Sequence, residues 1–444
     1  MSTKAKPDKQ AVILIHGIGE QEPMQTLRRF VDAMWTSDPS LRDPHMPDTV
    51  WSKPDWASRN LELRRLTTVR TKATATSANG TTTDFYELYW AHLMSGTRLS
   101  HVLSWVWLLL FRKPAHVPKA LLGAWVALWV VAAVAVAVAI NQYLPDDVAP
   151  VAIPAWLAAA GALLLGFLHY RYLVPYVGDA ARYLSPAPVN VEQRKNIREA
   201  GIELLETLIE KGGYERIVVV GHSLGTIIGY DVLRHLWPAY NTNAGKGSEA
   251  QKKALRAVEK AAAAEPFDRA AYRRAQRAYL DALRADGNPW NVTDFVTFGS
   301  PLAHAEALMA RDSGEFEMKK EEREFPTAPP VFETKDSFTY ARQIPGAAGG
   351  GTRSFRVPHH GAVFAPVRWT NLYFPSSRIV FGDIVGGPVA PAFGPGVEDV
   401  AVTTGIRGGI FNHTDYFTFE PGGTGEAPGE HVAALRKALN LLDG

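Results

Sequence analysis

Residues 216–226 read RIVVVGHSLGT, and this stretch decides the fold. Arg216 to Val220 is a short, almost uninterrupted run of β-branched apolar residues, the signature of a strand buried on both faces. Leu224 to Trp237 follows with helical spacing and is expected to stop at Pro238. Between them, with no loop to spare, lies Gly221-His222-Ser223-Leu224-Gly225. A G-x-S-x-G string alone says little in a chain with 37 glycines. Placed directly between a strand and a helix, it predicts a tight turn that lifts the Ser223 hydroxyl above the sheet edge. Gly221 and Gly225 are then needed because side chains there would strike the neighbouring strand and helix. No Lys follows as in a phosphate-binding P-loop.

A serine presented this way needs hydrogen-bond donors for a developing oxyanion. The run Ala11 to Ile15 reads as another buried strand and ends in His16-Gly17-Ile18-Gly19-Glu20-Gln21. The backbone N–H of Ile18 and that of Leu224 are the expected pair of donors. His16 is read as a residue that orients this loop.

Further outward, strand and helix patterns alternate. Leu61–Arg70, Asp84–Trp90, Val292–Phe298 and Val367–Phe374 are strand candidates, and residues 190–211 form an amphipathic helix pattern. Such alternation predicts an α/β fold, a mostly parallel sheet with helices on both faces. Residues 241–288 are rich in Ala, Lys, Arg and Glu and predict two exposed helices divided at Pro266, a helical cap or a solvated pair. Residues 312–360, charged and then Pro/Gly-rich, read as a flexible insert.

The segment between the two halves has a different character. Ala120 to Ile140 carries no charge, and neither does Val148 to Leu168. Each is about 30 Å long as a helix, the thickness of a bilayer's hydrocarbon core. The acidic turn with Asp146 and Asp147 separates them, whereas Arg112, Lys113, Lys119, Arg171 and Arg182 lie outside the pair. The positive-inside rule then predicts a transmembrane hairpin (119–140 and 148–168) with both ends in the cytoplasm. Leu99 to Phe111 is apolar but shorter and suits an interfacial helix. The expected organisation is a core from 8–95, a membrane-associated insert at 97–171, the Ser223-bearing part at 172–240, the helical insert at 241–288 and the rest of the core at 289–440. The polar, basic N-terminus and the short apolar run after it predict no cleaved export signal.

Composition narrows the chemistry. A net charge of +2 gives no field for nucleic acid, and the absence of Cys excludes disulfides, thiolate metal sites and a Cys nucleophile. The histidine spacings fit no metal motif, so neither a metal nor a cofactor is expected.

Three pieces, LIHGIGEQ (14–21), VVVGHSLGT (218–226) and VTFGSPL (296–302), together resemble the α/β-hydrolase family. FYELYWAHL (85–93) and RWTNLYFPSSRIVFGD (368–383) are similar to a subset of bacterial, often membrane-associated, lipase-like members. The resemblance implies a triad in the order Ser, acid, His, so the acid and base follow Ser223. His413 is the expected base, with His431 as the other C-terminal candidate, and His359 and His360 as residues that could contact substrate. Asp383, on a glycine-flanked turn, is the expected acid, with Asp399 and Glu398 as alternatives. Asp294 stands at the wrong end of its strand. The implied function is a membrane-anchored serine hydrolase acting on lipid or other hydrophobic esters through an acyl-enzyme. A non-catalytic membrane scaffold of the same fold, or acyl transfer by the same triad, is the alternative. Oligomeric state is left open.

Overall fold

The computed structural model describes residues 8–17, 22–43, 45, 49–94, 114, 183–184, 188–241, 247–344, 353–376, 382–383, 385–403, 412–418 and 428–442, and isolated helical positions within 119–140. Eight strands form the main sheet: β1 (Asp8–Ile15), β2 (Val50–Pro54), β3 (Arg64–Thr68), β4 (Thr81–Leu88), β5 (Arg216–His222), β6 (Val292–Phe298), β9 (Arg368–Tyr373) and β10 (Glu398–Ala401). Their spatial order is β10-β9-β6-β5-β1-β4-β3-β2. Strands β10 through β4 run parallel, and β3 and β2 close one edge antiparallel. The hairpin of β7 (Thr339–Ile344) and β8 (Arg353–Pro358) stands apart from this sheet.

Period-two alternation sends each strand's side chains to two cores. Ala11, Ile13, Ile15, Ile217, Val219 and Phe295 enter one core. It is covered by α1 (Val191–Lys211), α2 (Leu224–Asn241), α3 (Glu249–Ala262) and α4 (Arg269–Ala285). Val12, Leu14, Val218, Val220 and Val296 enter the other core, under the helical segments Gln25–Val31 and Glu430–Leu439. Strands buried on both faces need near-continuous apolar sequence, which is why RIVVV and AVILI carry no alternating polar residues.

Three expectations are corrected. Helix α2 continues through Pro238 to Asn241. The proline removes one helical hydrogen bond, but tertiary bonds hold the last turn: Asn288 Nδ2 donates to Tyr240 O, and Asn241 Nδ2 donates to Pro358 O. The helices of the 241–288 insert do divide at Pro266, yet they are no free-standing pair. Tyr272, Tyr279, Leu283 and Val258 are fully buried in the first core. Tyr272 Oη and Gln276 Nε2 bond Phe364 O, and Arg273 pairs with Glu398. Third, within 312–360 the described residues are structured. Asp312 caps the helix Ser313–Glu321 by accepting from Glu315 N, and β7 and β8 follow. The glycine run at 346–351 lies outside the described residues.

The interfacial segment 99–111 and the hairpin also lie outside them, apart from Leu122, Trp125, Val126, Trp129, Ala133 and Val136, which are helical. Among the described residues, no helix is long and apolar enough to cross a membrane.

One buried group in the second core makes stability depend on pH. Glu87 on β4 is almost fully buried; Oε2 accepts from Met24 N, and Oε1 has no partner among the described residues. Burial pushes its carboxyl up to about 7 against the opposing pull of the Met24 N–H. Its folded value exceeds the unfolded one, so the native state holds a proton that the unfolded chain releases. Stability is therefore lost as pH rises from about 4.5 toward 7. Glu87→Gln is expected to raise the unfolding free energy by about 1–3 kcal/mol at pH 8 relative to pH 5. Urea midpoints of variant and parent at the two pH values measure this, and a pH-independent difference would refute the assignment.

Candidate active site

β5 leads straight into α2, and the turn between them is strained. Ser223 has φ +52°, a left-handed conformation rarely taken by residues other than Gly, Asn or Asp. Neighbouring bonds hold it there: Ser223 N donates to Phe298 O, and Thr226 N and Oγ1 both donate to Ser223 O. Gly221 and Gly225 make the turn possible. A Cβ on Gly225 would lie 2.1 Å from Ile15 O, and one on Gly221 would lie 2.7 Å from Thr226 Cα. Leu224 opens α2, so its N–H belongs to the first-turn donors that have no helical partner.

Loops after β10 and β9 converge on this serine at the carboxyl end of the parallel strands, where open α/β sheets place their ligands. His413, after β10, sets Nε2 2.8 Å from Ser223 Oγ. Asp383, after β9, lies with both carboxylate oxygens 3.0 Å from His413 Nδ1. Nδ1–H donating to Asp383 leaves Nε2 bare, so it accepts the Ser223 hydroxyl proton. Ser223 is 2 % exposed, His413 5 % and Asp383 0 %.

A fully buried carboxylate must be paired or it will protonate. Asp383 Oδ1 accepts from Val385 N and Gly386 N, and Oδ2 accepts from Tyr416 Oη at 2.8 Å. Burial alone would raise this carboxyl. The bond and charge attraction of His413, with the Gly386 and Tyr416 donors, outweigh it and bring it down to about 2. Asp383 thus stays ionised and keeps the imidazole in one tautomer. Tyr416 is itself held by the Phe374 N–H.

His222 lies in the same turn, next to Ser223. Its Nε2–H donates to the backbone carbonyl of His413 at 2.8 Å, tying the serine turn to the loop that carries His413. Burial, with repulsion from His413, lowers it to about 3, so the ring stays neutral. His16 is fully buried, stacks on Trp90 at 5.1 Å and donates from Nδ1 to Gly17 O. Burial takes it down to about 4.

The alternatives lie elsewhere. Asp399 is occupied by Asn371 Nδ2 and by the N–H groups of Val389 and Ala390. Glu398 pairs with Arg273, and Asp294 with Arg216 and Arg368. His431 Nε2 bonds Thr418 O, and its ring packs on Phe374. His359, buried, bonds Val331 O and Gly361 N and does not reach the serine. Ile18 lies outside the described residues, while Gly17 beside it abuts the turn: a Cβ there would lie 3.0 Å from Ser223 Cβ.

Tyr416, Gly299 and Gly386 escaped the sequence reading. A Cβ on Gly386 would lie 2.5 Å from Asp383 Oδ2. Gly299, φ +58°, is the place where a Cβ would abut Tyr416, His413 and Asp383, and its position in VTFGSPL directly after a buried strand was the available signal. Among the described residues no group of three or more His, Asp or Glu side chains converges as a metal site. No protein-family model, no curated protein and no solved structure matches the chain.

Proposed function

We propose that the chain is a membrane-anchored serine hydrolase of carboxylic esters, with an α/β-hydrolase core and Ser223, His413 and Asp383 as its catalytic triad. The observation that carries this is the 2.8 Å contact from Ser223 Oγ to His413 Nε2, continued at 3.0 Å to a buried, ionised Asp383. In the reaction Ser223 Oγ attacks the ester carbonyl while His413 Nε2 takes its proton. The N–H groups of Leu224 and Ile18 receive the oxyanion, and Asp383 stabilises the imidazolium. His413 then protonates the leaving alkoxide, and the acyl group stays on Ser223. Water, deprotonated by the same imidazole, releases the acid. The uncharged stretches 120–140 and 148–168 support a hairpin that holds the domain at the cytoplasmic leaflet, which favours lipid or other hydrophobic esters as substrates.

A serine-directed phosphonate tests the reading. It is expected to modify the peptide bearing Ser223 in the full-length protein, and labelling should slow by at least about a thousandfold in His413→Ala. The labelled chain should stay with membranes through an alkaline carbonate wash, and a form lacking 97–175 should not. Labelling elsewhere, or at an undiminished rate in the variant, would defeat the triad. Release of the full-length chain by the wash would defeat the anchor.

A further inference from the structure

Tyr416 has one hydroxyl proton, and its surroundings leave that proton one direction. The hydroxyl oxygen accepts from Phe374 N at 3.1 Å and lies 2.8 Å from Asp383 Oδ2, to which it donates. Tyr416 is 1 % exposed, and its ring packs against Phe374 and Phe298 with centroids 4.4 and 5.4 Å away, so it cannot swing aside. Phe374 directly follows β9, and its carbonyl accepts from Asp383 N at 3.4 Å. One residue's peptide groups therefore hold both partners of the Tyr416–Asp383 bond.

Tyr416 and His413 belong to a single turn, His413-Thr414-Asp415-Tyr416. It is closed by Asp415 N donating to Asn412 O and by Asn412 Nδ2 donating to Asp415 Oδ2. Two side chains three residues apart thus reach the same carboxylate, which sits on a different loop. The approach of His413 is symmetric, with Nδ1 3.0 Å from Oδ1 and 3.0 Å from Oδ2. The other donors account for that symmetry. Oδ1 receives the N–H groups of Val385 and Gly386, and the Tyr416 hydroxyl offsets them at Oδ2. An oxygen stripped of its other donor holds more of the charge and draws an N–H toward itself. Without the hydroxyl, Nδ1–H would turn toward Oδ2, rotate the imidazole and move Nε2 relative to Ser223 Oγ. Water cannot substitute, because the hole left by one ring-bound oxygen is smaller than a water molecule. Gly299 and Gly386 also crowd Oδ2, since a Cβ on them would lie 3.2 and 2.5 Å from it.

Resting on the proposed hydrolase reading, we infer that Tyr416 is a positioning residue: with His413 it closes a two-point clamp on Asp383 that fixes the angle at which the imidazole meets Ser223. Its effect on the reaction passes through Asp383 alone.

A double-mutant cycle on phosphonate labelling of Ser223, in detergent-solubilised full-length protein, tests the clamp. Tyr416→Phe keeps the ring and removes the hydroxyl. Labelling is expected to slow about tenfold, and kcat on a soluble ester to fall alike with KM within about twofold of the parent. In an Asp383→Asn background the same exchange should change the labelling rate by less than about twofold, because the group it acts through is gone. Phe417 is the next residue, packs on Phe298 and Phe30 and has no hydrogen-bonding group in its side chain. Phe417→Leu loosens the same turn, yet should label within about threefold of the parent. A tenfold loss that persists with Asp383→Asn, or that Phe417→Leu matches, would make Tyr416 a packing residue and overturn the clamp. Parental labelling by Tyr416→Phe, or loss of its fold, would do the same. The triad would survive each of these results, because Ser223 would still label in the parent and slowly in His413→Ala. No labelling of the parent would overturn triad and clamp together.

Discussion

Asp383→Asn is expected to lower kcat on a soluble ester by about ten-thousandfold while the protein stays folded. The magnitude is the one for this exchange in a Ser-His-Asp triad, the role proposed for these residues, and the local bonds give the reason it would apply. Oδ1 faces two backbone donors, the N–H groups of Val385 and Gly386, so the amide oxygen must take that side. The new NH₂ is then turned toward Tyr416 Oη and His413 Nδ1, both of which are donors to the carboxylate. Tyr416 can rotate its hydroxyl, but the imidazole can accept at Nδ1 only by moving its proton to Nε2. That tautomer points an N–H at Ser223 Oγ and has no lone pair for its proton. Raising pH restores nothing. Activity within about tenfold of the parent would show that Asp383 does not set the tautomer.

Gly299→Ala is expected to lower kcat by at least about a hundredfold, the scale of loss when reacting groups are displaced by about 1 Å. Two effects combine. The residue holds φ +58°, where a Cβ is strained, and that Cβ would lie 2.9 Å from the Tyr416 ring, 3.1 Å from His413 Cε1 and 3.2 Å from Asp383 Oδ2. Relief requires a shift of the base, its acid or the loop after β6. Gly213→Ala separates strain from displacement, because Gly213 has φ +63° with nothing within 4 Å of the added carbon. It should cost about 1–2 kcal/mol of stability and leave kcat unchanged. Chemical denaturation and steady-state kinetics on both variants decide the matter. A Gly299→Ala protein as active as Gly213→Ala would mean that the constellation tolerates the intrusion.

The histidines and carboxylates show where local reading stops. Asp383 stands among glycines and Asp399 within GVEDVAV, and His413 and His431 both follow the last strand. Local sequence favours Asp383 and His413, on a glycine-flanked turn and a loop, but it does not show that the two meet. What separates them is which groups face each other: Asp399 accepts from Asn371, Val389 and Ala390, and His431 bonds Thr418 O, whereas both oxygens of Asp383 lie 3.0 Å from His413 Nδ1. Pro238 teaches the same lesson in backbone terms. Its local preference ends a helix, but Asn241 and Asn288, bonded to distant carbonyls, carry the helix three residues further. The insert at 241–288 has the composition of a solvated helix pair. Its few aromatic and aliphatic positions fall on one face and are enough to bury it in the core.

Whatever depends on neighbours in the chain was legible in the residues alone. The two-sided apolar runs at β1 and β5 specified buried parallel strands, and glycines two positions either side of Ser223 specified the sharp turn that presents it. These follow from sterics and side-chain period, which act over a few residues. Tertiary structure alone shows that an imidazole and a carboxylate meet at that serine, since His413 stands 190 residues beyond it and Asp383 lies 30 residues before His413. Partners so distant are selected by which loops the strand order brings to the same sheet edge and by which polar groups are already satisfied there. That competition for hydrogen bonds exists only once the chain has closed.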